Sequence, residues 1–206
     1  MELASLKKKL ASARKGHKLL KDKRDELMRR FMELVRENQL LRAETEEAIR
    51  NANAHMAVAG SVMQNQQLET ALLLPKQELE LEIREQNVMS VKIPVFDTKF
   101  RTGGESDIYS YGTAFTSCDL DDAVRALSEV FPKMIRLAEV EKSCQLLADE
   151  IEKTRRRVNA LEHIMIPDYE DTIRYITMKL SENERSTATG LMKVKDMVLQ
   201  RSHNYS

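Results

Sequence analysis

From Leu3 onward, apolar or small residues return at alternating steps of three and four: Leu3, Leu6, Leu10, Ala13, Leu20, Leu27, Phe31, Leu34, Leu41 and Ala48. That spacing predicts one long helix with a narrow apolar seam of the coiled-coil kind. The ladder also places His17, Arg24, Asn38 and Thr45 on the seam. After Thr45 it moves by one residue, to Ile49, Ala52, Met56, Ala59 and Met63, a stutter that locally changes the supercoil. A second ladder runs Leu137, Val140, Cys144, Leu147, Ile151, Thr154, Val158, Leu161, Met165. It resumes in a shifted phase as Tyr169, Ile173, Ile176, Leu180, Thr187, Leu191, Val194 and Val198.

Between the ladders the period falls to two. "ELELEI" (78–83) alternates strictly, and "VMSVKIPVF" (88–96) and "IYSYGTAF" (108–115) are rich in β-branched and aromatic residues around "TGGES". A small β-hairpin is expected here, with "TGGES" as its turn and Pro94 at an edge or strand end. The second long helix is expected to start near residue 119, where Ser117 or Asp119 can cap it and Asp121 and Asp122 suit its N-terminal dipole. Pro132 predicts a separate short helix or a kink in its first turns. Each helix needs a partner to bury so narrow a stripe, and the simplest partner is the other helix. The expected fold is mainly α: a long antiparallel two-helix coiled coil with a small β-hairpin element between the helices. It divides into an N-terminal helix (1–71), a hairpin head with its connections (72–117) and a C-terminal helix (118–206).

Composition agrees with helices rather than a globular core. Of 206 residues, 32% are charged and 5% aromatic, with no Trp. Lys plus Arg and Asp plus Glu both number 33, so no net field draws nucleic acid or anionic membrane. The charge is nonetheless segregated: residues 1–30 carry a net +7 and residues 44–85 a net −5. One end of the protein should be basic. The N-terminal residues contain no secretory apolar run, and no stretch approaches the ~18 apolar residues of a membrane span, so a cytoplasmic protein is expected. Cys118 and Cys144 have no metal-ligand spacing and read as reduced thiols. His55 and His163 have no neighbours that suggest a metal. Phosphate-loop, dinucleotide and nucleophile-elbow motifs are missing, so catalysis by this chain and a bound cofactor are not expected.

Two local features need an account. In "KTRRRVNALEHIMIP" (153–167), Arg155 and Arg157 flank the seam and Arg156 points away. Pairing Leu3 with Val198 at the open end sets Arg155 and Arg157 opposite Glu44, Glu46 and Glu47, an alignment by charge; counting from the loop end instead lands nearer Arg36 and Glu37. Pro167 sits where the ladder changes phase, and because helical spacing resumes at once, the helix is expected to continue with a bend there.

These residues also resemble a family. "ARKGHKLLKDKRDELMRRF" (13–31), "EIEKTRRRVNALEHIMIPDYEDTIRYITMKLSENER" (150–185), "LMKVKDM" (191–197) and "NVMSVKIPVF" (87–96) are similar to the D subunit of the V-type and archaeal A-type ATPases and ATP synthases. The resemblance implies a noncatalytic central rotor shaft coupling ATP synthesis or hydrolysis to proton or sodium transport. It implies as partners a catalytic A/B-type hexamer, the small F subunit of the central stalk and a funnel-shaped subunit above the membrane ring. It further implies that Lys7, Lys8, Lys9, Arg14, Lys15, Lys18 and Lys21, with Leu191, Lys193, Lys195 and Met197, face the hexamer cavity. The alternative of another class is a prefoldin-like coiled-coil chaperone subunit, which would present exposed apolar tips to client proteins.

Overall fold

The computed structural model describes residues 2–74, 76, 78–100, 108–112 and 116–203. Helix α1 runs Glu2–Val62, α2 Asn65–Leu72, strands β1 Leu79–Val88 and β2 Val91–Phe100 form one antiparallel hairpin, α3 runs Cys118–Ala160, a π-helical turn spans Leu161–Met165, and α4 runs Ile166–His203. The chain groups into two compact units, one of Met1–Arg24 with Lys153–Ser206 and one of Asp25–Glu152.

The predicted seam of α1 is the shaded stripe of the helix: every ladder position from Leu3 to Met63, the polar ones included, is buried or half-buried. In the second unit Leu27, Val91, Leu147 and Ile151 form one core cluster, with Phe31, Leu34, Met89, Ile93 and Leu146 packed on it. A second cluster joins Ala59, Met63 and Leu120 with Met56, Leu68, Ala71, Tyr111 and Val124. The small side chains of Ala52 and Ala59, both fully buried, let the helices approach closely where the stutter has moved the seam. Thr45, buried at the stutter, satisfies its hydroxyl by donating to the Leu41 carbonyl at 2.6 Å.

The hairpin differs from the expected one. Strand β1 is the predicted "ELELEI" alternation, but it pairs with 91–100, and the turn is Met89-Ser90. Both turn residues have positive φ, 52° and 72°, as the type I′ turn of a two-residue hairpin requires. Asn87 Oδ1 steadies it by accepting from the Ser90 amide at 2.9 Å, while Met89 packs on the Leu27 cluster. Those contacts hold in left-handed backbone two residues that would not be chosen for it, which is why no turn signal stood in the sequence. "TGGES" lies outside the described residues, and Ile108–Gly112 forms no strand. Pro94 is mid-strand, paired with Glu85. Because Val88 and Val91 flank the two-residue turn as a hydrogen-bonded pair, the alternation makes Glu85–Pro94 a non-hydrogen-bonded pair, and the proline nitrogen points away from β1.

Helix α3 opens at Cys118 with Asp119 and Asp121 in its first turn. The Ser117 carbonyl accepts from the Leu120 amide at 3.1 Å, whereas the Ser117 hydroxyl has no partner among the described residues, so the side-chain cap expected of it is not made. Nor does Pro132 divide the helix: α3 continues through it, with Phe131, Pro132 and Lys133 all exposed, a side where a carbonyl left unpaired can meet water.

The phase change anticipated at Pro167 occurs just before it, within the π turn. Ile166 N–H donates to the Leu161 carbonyl, five residues back. Continued as plain α-helix, the seam Ile151, Thr154, Val158, Leu161, Met165 would next bring Asp168, Thr172, Tyr175 and Lys179 inward. Asp168, Tyr175 and Lys179 are exposed instead, Thr172 remains half-buried beside the new face, and Tyr169, Ile173 and Ile176 are half-buried. The extra residue taken up by the wide turn advances the face by one position, about 100°, and exchanges polar seam residues for apolar ones. The wide turn also moves the preceding carbonyls away from the ring of Pro167, which has no N–H to offer them.

Candidate interaction surfaces

Cross-helix polar contacts fix the antiparallel register in each unit. In the first, an Arg14 Nη donates to Glu170 Oε1 at 2.6 Å, and His17 Nε2 lies 3.3 Å from Glu162 Oε2. In the second, Arg136 donates to Glu37 at 2.8 Å, and Arg42 lies 3.8 Å from Glu141. These pairs are displaced by several helical turns from the expected alignment of Leu3 with Val198. Counting from the open end assumes that the two helices pack along their whole length, whereas every α4 side chain from Thr177 to Leu199 is exposed. Glu46 accepts from Arg42 on its own helix at 3.1 Å, and Thr45 and Glu46 share a groove with Met134, Leu137 and Glu141. Glu44 and Glu47 are exposed, as are Arg155, Arg156 and Arg157. The seam beside the arginines is buried: Thr154 and Val158 are fully covered, and the Thr154 hydroxyl has no partner among the described residues.

The basic stretch lies on α1 of the first unit. Lys7, Lys8, Lys9, Lys15, Lys18 and Lys21 are exposed, and none has an acidic partner among the described residues, whereas Arg14 is held by Glu170. In the same unit the end of α4 exposes Leu191, Met192, Val194, Met197, Val198 and Leu199, with Lys193 and Lys195 between them. Leu191 and Met192 are each about two-thirds exposed, 66% and 67%. So many unshielded apolar side chains on one helix end mark a surface awaiting a partner.

In the second unit, a groove of about 550 Å³ is floored by Leu34, Ile93, Pro94 and Leu147 and rimmed by Arg29, Arg30 and Arg136. Each arginine is engaged by glutamate. Glu26 accepts from both Arg29 and Arg30, and these hydrogen bonds pull its carboxyl down to about 2. The sign follows: a carboxyl whose native value lies below its ordinary 4.5 stabilises the fold above that value, and the benefit is lost as pH falls toward 2. Glu26→Gln should therefore lower the melting temperature at pH 6, and the difference from wild type should vanish as pH approaches 2. Thermal unfolding of both proteins across that range checks it, and a gap that persists at pH 2 would be incompatible with the pairing. Arg136, hydrogen-bonded to Glu37, is held above its usual value. Burial, then Glu141 and Glu37, raise the Cys144 thiol, which keeps it protonated and unreactive. In the cluster around Leu120, Tyr111 donates to Asp121 at 2.8 Å, and burial with that carboxylate pushes the phenol well above its ordinary value.

Among the described residues, no group of three His, Cys, Asp or Glu could hold a metal ion, and no helix is long and apolar enough to cross a membrane. The surfaces are those of a protein that binds other proteins. Comparison with known proteins identifies which: the family model for the ATP synthase D subunit matches residues 2–196. The chain belongs to the family of ATP synthase D subunits. Among curated relatives, the V-type ATP synthase D subunit of Acetivibrio thermocellus is 56% identical over 100% of this chain and 92% of its own length. The V-type D subunit of Clostridioides difficile is also 56% identical, over 98% and 90%. That of Clostridium botulinum is 51% identical, over 99% and 95%. Family membership covers both units, including the exposed end of α4 up to Asp196.

Proposed function

We propose that this chain is the noncatalytic central rotor shaft of a V- or A-type rotary ATPase or ATP synthase. In this reading it couples ATP synthesis or hydrolysis in a catalytic A/B-type hexamer to proton or sodium transport through a membrane ring. Its other partners are the small F subunit of the stalk and a funnel-shaped subunit joining it to the ring, and it stands at the cytoplasmic face without entering the membrane. The observation that carries the reading is the exposed end of α4 in a member of the D-subunit family: Leu191, Met192, Val194, Met197 and Val198 have no cover among the described residues. Lys7, Lys8, Lys9, Lys15, Lys18 and Lys21 on α1, with Lys193 and Lys195, supply positive charge to the same unit. A shaft can drive three identical catalytic sites through different states only by making different contacts with each, so it must be asymmetric about its axis. The stutter at Thr45 and the phase change at Leu161–Met165 support that asymmetry. The prefoldin-like alternative is disfavoured by the family match over residues 2–196.

Charge reversal tests the basic part of the surface. Lys8→Glu, Lys15→Glu and Lys18→Glu together should weaken assembly with the purified hexamer by about tenfold or more at ~0.05 M salt, with the deficit shrinking near ~0.5 M as screening shortens the reach of each charge. Arg14 is left alone because Glu170 already holds it. Equal affinity of variant and wild type at low salt would remove these lysines from the interface.

A further inference from the structure

The π turn has an effect well beyond the five residues it occupies. Upstream of it, Thr154 and Val158 are buried on the seam; downstream, the half-buried face runs through Tyr169, Ile173 and Ile176, with Thr172 beside it. Two contacts tie α1 to either side of the phase change: Glu162, inside the turn, with His17, and Glu170, just past it, with Arg14. Opposite the turn α1 carries small residues, Ser12, Ala13 and Gly16, and these line a groove of about 570 Å³ with Leu161, Met165 and Tyr169. A Cβ added to Gly16 would meet nothing within 4 Å, so there is room for a wider turn. From Thr177 to Val198 every α4 side chain is exposed, so no packed face sets the rotation of these turns. The direction of that free end is thus inherited through a rigid helix from the last packed turns.

We propose that the wide turn at Leu161–Met165, clasped to α1 through Glu162 and followed by Pro167, is a phase-setting joint that fixes the direction in which the end of α4 presents Leu191, Val194 and Val198. What matters is the phase it delivers, not the wide turn as a contact surface. A one-residue error would rotate the end by about 100° and put Gly190, Lys193 and Met197 where Leu191, Val194 and Val198 now stand. Lys193 in place of Val194 would bring a charge into an apolar contact, and Gly190 in place of Leu191 would leave a gap there. The consequence for binding rests on the proposed role of this end in the hexamer.

The joint can be tested by residue count. Deleting His163, which is exposed within the wide turn, lets the helix run as regular α-helix while Tyr169, Ile173 and Ile176 keep their places. This deletion should bind the hexamer and support its ATPase rate within about twofold of wild type. Inserting one alanine after Ser181 leaves the turn and the packed face intact but rotates the end; it should lower affinity for the hexamer at least about tenfold. Adding deletion of Thr189 to that insertion restores the count before Leu191 and should restore affinity to within about twofold. In the isolated chain, with Cys118→Ser and Cys144→Ser, a disulfide between Ala13→Cys and Tyr169→Cys should form with and without His163. The proposal fails if the His163 deletion binds as poorly as the insertion, if the insertion is harmless, if the compensating deletion does not rescue, or if the disulfide is lost on deletion. A wild-type chain that does not bind the hexamer at all would instead overturn the proposed function, and the disulfide comparison would still decide whether the turn preserves the phase.

Discussion

Leu147→Ala should destabilise the protein by about 3 kcal/mol and lower its melting temperature by roughly 10 °C. Leu147 is fully buried in the cluster that joins Leu27 of α1, Val91 of the hairpin and Ile151 of α3, so its truncation removes apolar contact from three elements at once. The cavity cannot readily collapse, because Val91 sits beside a two-residue turn with a fixed backbone and Leu27 on a long helix that cannot shift locally. The same truncation at Leu19, 69% exposed, should change stability by less than about 0.5 kcal/mol. Urea unfolding followed by helical circular dichroism measures both. Similar costs at the two positions would mean that the cluster is not the core of its unit.

Removing the chain from Ser181 onward should abolish assembly with the hexamer, a loss of at least about a hundredfold in affinity, while leaving the melting temperature close to that of the full chain. The asymmetry of outcome follows from burial. Among the described side chains of α4 the last half-buried one is Ile176, so the turns from Thr177 to Val198 add no buried side chain, yet they carry Leu191, Met192, Val194, Met197 and Val198 to the surface. Hexamer binding by pull-down or calorimetry, set beside thermal unfolding of the same truncated protein, separates the two effects. Full binding by the shortened chain would sink the assignment of this end to the hexamer.

The apolar ladder was the most readable part of the sequence. All nineteen α1 seam positions from Leu3 to Met63, including His17, Arg24, Asn38 and Thr45, are shaded, because helical period alone decides which side chains face a single partner helix. The second ladder held to Leu161 and from Tyr169 to Ile176. It ceased to predict burial at Leu180, Thr187, Leu191, Val194 and Val198, all exposed, with no partner helix beside them among the described residues. Met165, the last residue before the shift, is also exposed, because it borders the open groove beside Ser12, Ala13 and Gly16.

What the sequence concealed shares one physical origin: features set by tertiary contacts rather than by local preference. The Met89-Ser90 turn carries none of the Gly, Asn or Asp residues that announce a type I′ hairpin; a methionine anchored in the core and the Asn87 side chain impose it. The register is not contained in the period either: it is set by Arg14 with Glu170 and His17 with Glu162, pairs that the alignment of Leu3 with Val198 does not bring together. The π turn was foreshadowed by the change of phase, but Pro167 drew attention to itself although the accommodation lies just before it.

The proline in β2 bears on the life of the chain before assembly. Among the described residues no third strand joins the hairpin, which leaves two open edges, and one face shows Leu81 and Ile83 to solvent, a pairing of sticky surface and open backbone that invites a stray strand from another molecule. With its nitrogen turned outward, Pro94 leaves a missing donor in the middle of the β2 edge, and its ring blocks close approach there. A newly made chain waiting for its partners would thus be guarded along that edge against zipping into an aggregate, by a residue whose place in the strand looks at first like a defect.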